Sequence, residues 1–262
     1  VEKINKLFFL SEEKKTYKLS SLSRKSAWVG RKKKYFKLAS LYVDSLIETH
    51  NKRSRASKKP NIIDPSLSSM FASFFPYVLT QDQKTTLKEV FKDMSSLKPM
   101  SRLVCGDVGF GKTEVALRAS FLAASNNKNI IVLAPTTILV DQLYDVFSKR
   151  FGAFSCPVFC SVDLFLSSKV CGRILISTHK VLSSPKALSL CGLFIVDEEH
   201  RFGVEQKEQI LKNNISCDVL YMTATPLPRT LQMSFSKIRN FSLIKTPPVS
   251  KKQTITNLYV FD

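Results

Sequence analysis

The 262-residue sequence predicts an α/β fold in which a parallel sheet is covered by helices on both faces. Three observations carry that expectation. Seven short runs, apolar throughout and rich in β-branched residues, recur from Arg102 onward. Stretches with helical patterning separate them. One run leads straight into a glycine-rich loop and then a helical pattern, "CGDVGFGKTEVALRA" from Cys105 to Ala119.

Before the first of these runs the chain changes character twice. Residues 1–22 hold short apolar runs, Leu7-Phe8-Phe9-Leu10 and then Tyr17 and Leu19, broken by charged turns, and read as the end of a small β module. From about residue 26 to 50 the periodicity is helical: Tyr35, Leu38, Ala39, Tyr42 and Leu46 share one face, and Lys32, Lys33, Lys34 and Lys37 lie on the other. "NKRSRASKKPN" (Asn51–Asn61) is polar and basic and reads as a linker, its charge either solvated or facing phosphates. The seven predicted strands follow: "RLVCG" (102–106), "NIIVLAP" (129–135), "PVFCS" (157–161), "RILIST" (173–178), "LFIVDE" (193–198), "VLYMTAT" (219–225) and "FSLIK" (241–245).

The glycine loop carries the chemistry. Gly106, Gly111, Lys112 and Thr113 fit G-x-x-x-x-G-K-[ST], placed between a strand and a helix as a phosphate-binding loop requires. Gly106, Gly109 and Gly111 allow close approach of backbone N–H groups to an anion, and the following helix turns its N-terminus toward it. Lys112 can reach β and γ phosphates, and the Thr113 hydroxyl can hold Mg²⁺. The cofactors this predicts are ATP and Mg²⁺. In an open α/β sheet the ligand lies at the carboxyl ends of the strands. Asp197 and Glu198, which end "LFIVDE", therefore fall beside the phosphates. Asp197 suits a metal held through water, and Glu198 suits orientation of the attacking water. Thr223 and Thr225 in "MTATPLPRT", Thr136 and Thr137 in "APTTILVDQ" and "STHK" with Thr178 and His179 also sit at strand ends. Hydroxyls and helix starts suit contact with a nucleic-acid backbone, although such residues also cap helices.

Composition narrows the partners. Lys and Arg total 40 against 21 Asp and Glu, a net charge of +19, and residues 1–60 hold 17 of the basic and 5 of the acidic residues. A polyanion such as nucleic acid is the expected partner, with a lysine-rich solvated surface as the alternative. Six cysteines without paired metal spacing suggest buried free thiols in a reducing compartment. No apolar run reaches the roughly 18 residues of a membrane span, and no signal peptide is visible. A chain that begins at Val1 is expected to be a piece of a longer product or a processed one.

The order of phosphate loop, "PTT", "TH", "DEEH" and "TAT" resembles the first RecA-like lobe of a superfamily 2 helicase or translocase. "FFPYVLTQDQ" (Phe74–Gln83), "PMSRLVCGDVGFGKTEVALRA", "VDEEHRFGV" and "MTATPLPRTLQM" are similar to the bacterial transcription-repair coupling factor family, and "YKLSSLSRKSAW" (Tyr17–Trp28) is similar to the end of its polymerase-binding module. The resemblance implies an α/β, RecA-like P-loop lobe over 61–245, preceded by the end of a polymerase-interacting β module (1–25) and a basic joining helix and linker (26–60), and followed at 246–262 by the start of a connection to a second lobe. It further implies ATP-driven movement along double-stranded DNA, with RNA polymerase and excision-repair proteins as partners of the intact protein and no membrane. Phe75 and Gln83 would read adenine. Gly106, Gly109, Gly111, Lys112 and Thr113 would hold the nucleotide, with Lys112, Asp197 and Glu198 catalytic. Thr136, Thr137, Thr178 and His179 would meet DNA, and Thr223, Thr225 and Arg229 would couple the two sites. An arginine finger would come from the second lobe, so residues 1–262 alone are expected to turn over little ATP. A bacterial cytoplasmic, nucleoid-associated home is implied; the Lys-rich, Ser-rich composition also suits a plastid or other organelle. Two departures stand out: Ser177 replaces the family's usual Gly, and the segment before Arg173 is short. A RecG-like fork-remodelling lobe and a nucleotide- or DNA-binding remnant without turnover remain as alternatives.

Overall fold

The computed structural model describes residues 51–203, 215–225 and 239–249, together with 48, 206 and 209–211, all within the unit Ser45–Asp262. The polymerase-interacting module and most of the basic helix expected over 1–50 lie outside the described residues, as does Arg229.

All seven predicted strands form. They are β1 (Ser101–Gly106), β2 (Asn129–Leu133), β3 (Val158–Phe159), β4 (Ile174–Ser177), β5 (Cys191–Val196), β6 (Asp218–Thr223) and β7 (Asn240–Ile244). Every pairing is parallel, and the spatial order is β3-β4-β2-β5-β6-β1-β7. Six described α-helices connect or flank them: α1 (Pro65–Ser73), α2 (Gln81–Met94), α3 (Lys112–Ser125), α4 (Thr137–Phe151), α5 (Val162–Ser167) and α6 (Pro185–Ser189).

The strands lack a polar face because alternate side chains enter two different cores. Val104, Ile130, Val132, Ile176, Ile195, Leu220 and Met222 point to one side, where α1 to α4 pack with Phe71, Leu87, Leu122 and Phe147. Leu103, Ile131, Leu133, Leu175, Phe194, Val196 and Tyr221 point to the other, against Phe165 of α5, Leu188 of α6 and Ile210. Local signals start the helices. Asp64 caps α1, accepting from the N–H groups of Ser66 (2.9 Å) and Leu67 (3.1 Å), with Pro65 in the first turn. Thr80 and Gln83 form a reciprocal capping box on α2.

The basic stretch departs from its expected role in part: Lys52, Arg55 and Lys59 are exposed, but two of its cations are not. Residues 51–55 are helical, and the side chains of Arg53, Lys58 and Asn61 are buried at the amino ends of the strands instead of being solvated or free for phosphates. Arg53 donates to the carbonyls of Met100 (2.9 Å) and Cys217 (2.8 Å). Lys58 Nζ lies 3.0 Å from Asp218 Oδ2, with side-chain exposures of 4% and 0%. Asp218 also accepts from Met100 N at 2.7 Å. The cysteines divide too: Cys105, Cys191 and Cys217 are buried, Cys156 is half-buried, but Cys160 and Cys171 are exposed.

The short segment before Arg173 is closed by that residue. Its guanidinium donates to the carbonyls of Ser168 and Val170 and lies 4.7 Å from the Phe165 ring centroid.

Candidate functional site

Parallel strands place all their carboxyl ends on one edge, so the strand order decides which motifs meet. Along that edge run Ser177–His179 after β4, Ala134–Thr137 after β2, Asp197–His200 after β5, Thr223–Thr225 after β6, and the glycine loop after β1. Residues spread over more than a hundred positions of sequence thus share one rim.

At the β1 end, Gly109 and Gly111 both have φ of +79°, a left-handed conformation that side chains disfavour. Gly111 is the N-cap of α3, and a Cβ there would fall 2.4 Å from Gln83 Nε2. Gln83 is buried and donates to the carbonyl of Phe110 at 2.8 Å, while its Oε1 accepts from Thr80 N at 2.9 Å. The residue expected to read adenine therefore also braces the loop. Lys112 Nζ folds back to the carbonyls of Gly106 (2.6 Å) and Asp107 (3.0 Å). Thr113 follows in the first turn of α3, half-buried. Phe75 lies on the irregular stretch between α1 and α2, half-buried, with the Tyr77 ring edge-on at 5.5 Å.

Across β6, Asp197 ends the register of β5, its N–H donating to Leu133 O at 2.9 Å. Burial, and then the neighbouring Glu198 charge, push its carboxyl up to about 6. Glu198 adopts the left-handed region (φ 50°, ψ 53°), and its Oε2 is buried with no hydrogen-bond partner among the described residues. Burial lowers the pKa of Lys112, opposed by the charges of Glu198 and Asp197, so the loop cation and the two carboxylates act on one another across the cleft. Two adjoining carboxylates, a threonine hydroxyl and loop backbone opened by Gly109 and Gly111 fit a triphosphate with a divalent cation, whose other ligands would be phosphate and water.

Of the residues expected to couple the two sites, Thr223 and Thr225 meet; Arg229 lies outside the described residues. Thr223 Oγ1 lies 2.9 Å from Thr225 Oγ1 and accepts from Thr225 N at 3.2 Å. His200 joins them to the carboxylates: its Nδ1 is 3.4 Å from Thr223 Oγ1 and 3.3 Å from Glu198 Oε2. Sequence reasoning left His200 without a role, although it is the last letter of "DEEH". It also passed over Glu199, which pairs with Arg239 at 2.7 Å while that guanidinium lies 3.9 Å over the Tyr221 ring. Asp82 is a further omission: its Oδ2 accepts from Lys245 N, Thr246 N and Thr246 Oγ1, each at 2.9 Å.

The expected DNA contacts stand at the β2 and β4 end of the rim. Thr136, Thr137 and His179 are exposed, and Thr178 is half-buried. Thr136 caps α4, accepting from Leu139 N at 3.3 Å, which leaves its hydroxyl proton to donate elsewhere.

A phosphate loop on β1, paired carboxylates on β5 and a hydroxyl pair on β6 define a helicase-type ATP-binding lobe. The chain belongs to the DEAD/DEAH box helicase family, whose pattern matches residues 80–234. Within that class its sequence is similar to transcription-repair-coupling factors. It is 42% identical to that of Borreliella burgdorferi over 257 residues, which is 93% of this chain and 22% of the relative. It is 47% identical to that of Buchnera aphidicola over 204 residues, 73% of this chain and 29% of the relative. A chloroplastic ATP-dependent DNA helicase of Arabidopsis thaliana is 41% identical over 263 residues, 96% of this chain and 32% of that protein. The chain thus spans less than a third of each of these relatives. Among solved structures, RecG bound to a three-way DNA junction superposes with a TM-score of 0.63 at 27% identity, covering 82% of this chain and 30% of that one. The UvsW helicase of bacteriophage T4 shares the fold, with a TM-score of 0.51 at 15% identity over 73% of this chain and 70% of that one.

Proposed function

We propose that this chain is the ATP-binding motor lobe of a double-stranded DNA translocase that serves transcription-coupled repair. The observation that carries the reading is the shared rim. The phosphate loop and carboxylates occupy β1 and β5, the exposed Thr136, Thr137 and His179 with the half-buried Thr178 follow β2 and β4, and Glu198, His200, Thr223 and Thr225 make a continuous polar chain beside them.

The loop N–H groups and the start of α3 receive the triphosphate. Lys112 leaves the carbonyls of Gly106 and Asp107 and places its ammonium on the β and γ phosphates. Thr113 and, through water, Asp197 hold Mg²⁺. When bound, Mg²⁺ neutralises charge that develops on the phosphate oxygens. Glu198 accepts a hydrogen from the attacking water and orients it in line with the γ phosphate; its buried Oε2, approached only by His200 Nδ1 at 3.3 Å among the described residues, keeps the lone pairs that task requires. Phe75 and Gln83 receive the adenine. A change at Glu198 reaches Thr225 through His200 and Thr223, with Arg229 completing the connection toward DNA. Thr136, Thr137, Thr178 and His179 meet the phosphate backbone, not the bases, so the lobe tracks DNA without reading sequence. The partners we infer for the intact protein are duplex DNA, RNA polymerase and excision-repair proteins; the names of the similar coupling factors, which speak of transcription and repair, support that reading.

Two titrations test this. Lys112→Ala removes a charge-assisted contact of about 1.5–3 kcal/mol, so ATP should bind roughly tenfold to a hundredfold more weakly. Duplex DNA binding should fall steeply with salt and vary little with sequence. Unchanged ATP affinity, or strong preference for one sequence at fixed salt, would refute the reading.

A further inference from the structure

The inward side of α3 holds a charged cluster that the mechanism above does not use. Glu114, directly after Thr113, is 4% exposed. Its Oε1 takes two guanidinium groups, Arg118 Nε at 2.7 Å and Arg150 Nη2 at 3.0 Å. Burying three charges in a layer of Phe71, Phe121 and Phe151 carries a desolvation penalty that apolar residues would avoid. Both cations converge on one ring: Arg118 Cζ lies 5.8 Å and Arg150 Cζ 5.4 Å from the centroid of Phe75. Arg150 is itself seated 4.9 Å over Phe71, a fully buried ring stacked on Phe121 at 4.2 Å.

Phe75 needs such support. It stands outside any helix or strand, with one backbone bond, Phe75 N to Ala72 O at 3.1 Å. We propose that Glu114, Arg118 and Arg150 are positioning residues for the nucleobase: the carboxylate fixes two guanidinium groups, and these fix the Phe75 ring at a set distance from the phosphate end of α3. The inference rests on the proposed role of Phe75 as the adenine platform and deepens it. The turn of α3 that faces the phosphates outward carries the anchor of the base platform inward, so the spacing between the two ends of the nucleotide is built into one helix.

The test compares ATP with inorganic tripolyphosphate, which lacks the base, on the full chain. Arg118→Met and Arg150→Met each leave Glu114 with one cation, so neither strands a buried charge. Each should weaken ATP binding about threefold to tenfold, the loss expected for a partly desolvated cation–π contact, and leave tripolyphosphate binding unchanged. Arg150→Lys, which keeps the cation, should restore much of the loss. Combining Arg150→Met with Phe75→Ala should weaken ATP no further than Phe75→Ala alone, because the two act through one ring. If both arginine variants weaken ATP and tripolyphosphate equally, the cluster supports only the fold and the proposal fails. If Phe75→Ala weakens ATP but the arginine variants do not, the proposal fails while the adenine platform stands. If Phe75→Ala itself leaves ATP binding intact, the platform reading fails and takes the proposal with it.

Discussion

Removing Lys58 should harm the fold more than removing Lys58 and the Asp218 charge together. The Asp218 side chain is fully buried beside Lys58 Nζ at 3.0 Å and also accepts from Met100 N at 2.7 Å. Lys58→Met leaves that carboxylate with a backbone N–H, the weak 3.4 Å approach of Asn61 Nδ2 and the more distant charge of Lys128. Taking one partner from a buried ion pair costs about 3–5 kcal/mol, mostly through the stranded charge. Asp218→Asn in the same protein keeps an oxygen for Met100 N but removes the charge, so the double variant should recover about half of the loss. Burial, the largest influence, already holds the Asp218 carboxyl above its usual value, with Lys58 opposing. An acid whose folded pKa is raised is most favourable to the fold below its unfolded value and loses that advantage as pH rises through its folded value. The Lys58→Met deficit should therefore grow with pH and shrink on acidification, while the double variant should show little of this dependence. Urea unfolding of the three proteins at pH 5 and pH 7.5 measures all of it. A double variant no more stable than Lys58→Met, or a deficit that shrinks as pH rises, would refute the reasoning.

Four further outcomes are expected. With Asp197 titrating near 6, the carboxylate that favours Mg²⁺ is present in only about a tenth of molecules at pH 5, so ATP–Mg²⁺ affinity relative to Asp197→Asn should fall about tenfold from pH 7.5 to pH 5. The same raised pKa means that Asp197→Asn should stabilise the nucleotide-free protein at pH 7.5 and not at pH 4, as urea unfolding would show. Gly111→Ala, at φ +79° and 2.4 Å from Gln83 Nε2, should lower stability by about 1–2 kcal/mol from the left-handed conformation alone and displace Gln83 from Phe110, which calorimetry and ATP titration would detect. An arginine finger contributes about 10³–10⁵ in rate, so steady-state assays of residues 1–262 should show hydrolysis near background; a longer protein carrying a second lobe should hydrolyse ATP with DNA, and Glu198→Gln there should abolish turnover while ATP still binds.

The strands were legible because burial on both faces keeps polar residues rare within them: Ile130, Ile131, Val132 and Leu133 of β2 are each fully buried, and Ser242 in the middle of β7 is an exception. Their ends were less so. "PVFCS" contributes only Val158–Phe159 to the ladder, and β5 starts at Cys191, before the run that announced it. The glycine loop and the carboxylates could be read because their chemistry is local in sequence. The role of the basic stretch could not be. Its charges resemble those of any solvated surface, and the partner that buries Lys58, Asp218, lies far along the chain. Glu114 and Arg118 left a fainter trace, an acid and a base four apart inside an otherwise apolar helix, but Arg150 and Phe75 join them only through the packing of α3 against its neighbours.

The first turn of α2 sets two adjacent residues to opposite tasks. Gln83 holds the carbonyl of Phe110 in the glycine loop, and Asp82 holds the backbone of Lys245 and Thr246 where the chain leaves β7. Only one peptide unit separates the two grips. A displacement of the loop that carried Gln83 with it would reach the departing chain across that single unit, at the capped end of α2. The glycine loop and the backbone at Lys245 and Thr246 are thus tied to one helix turn through side chains of adjacent residues.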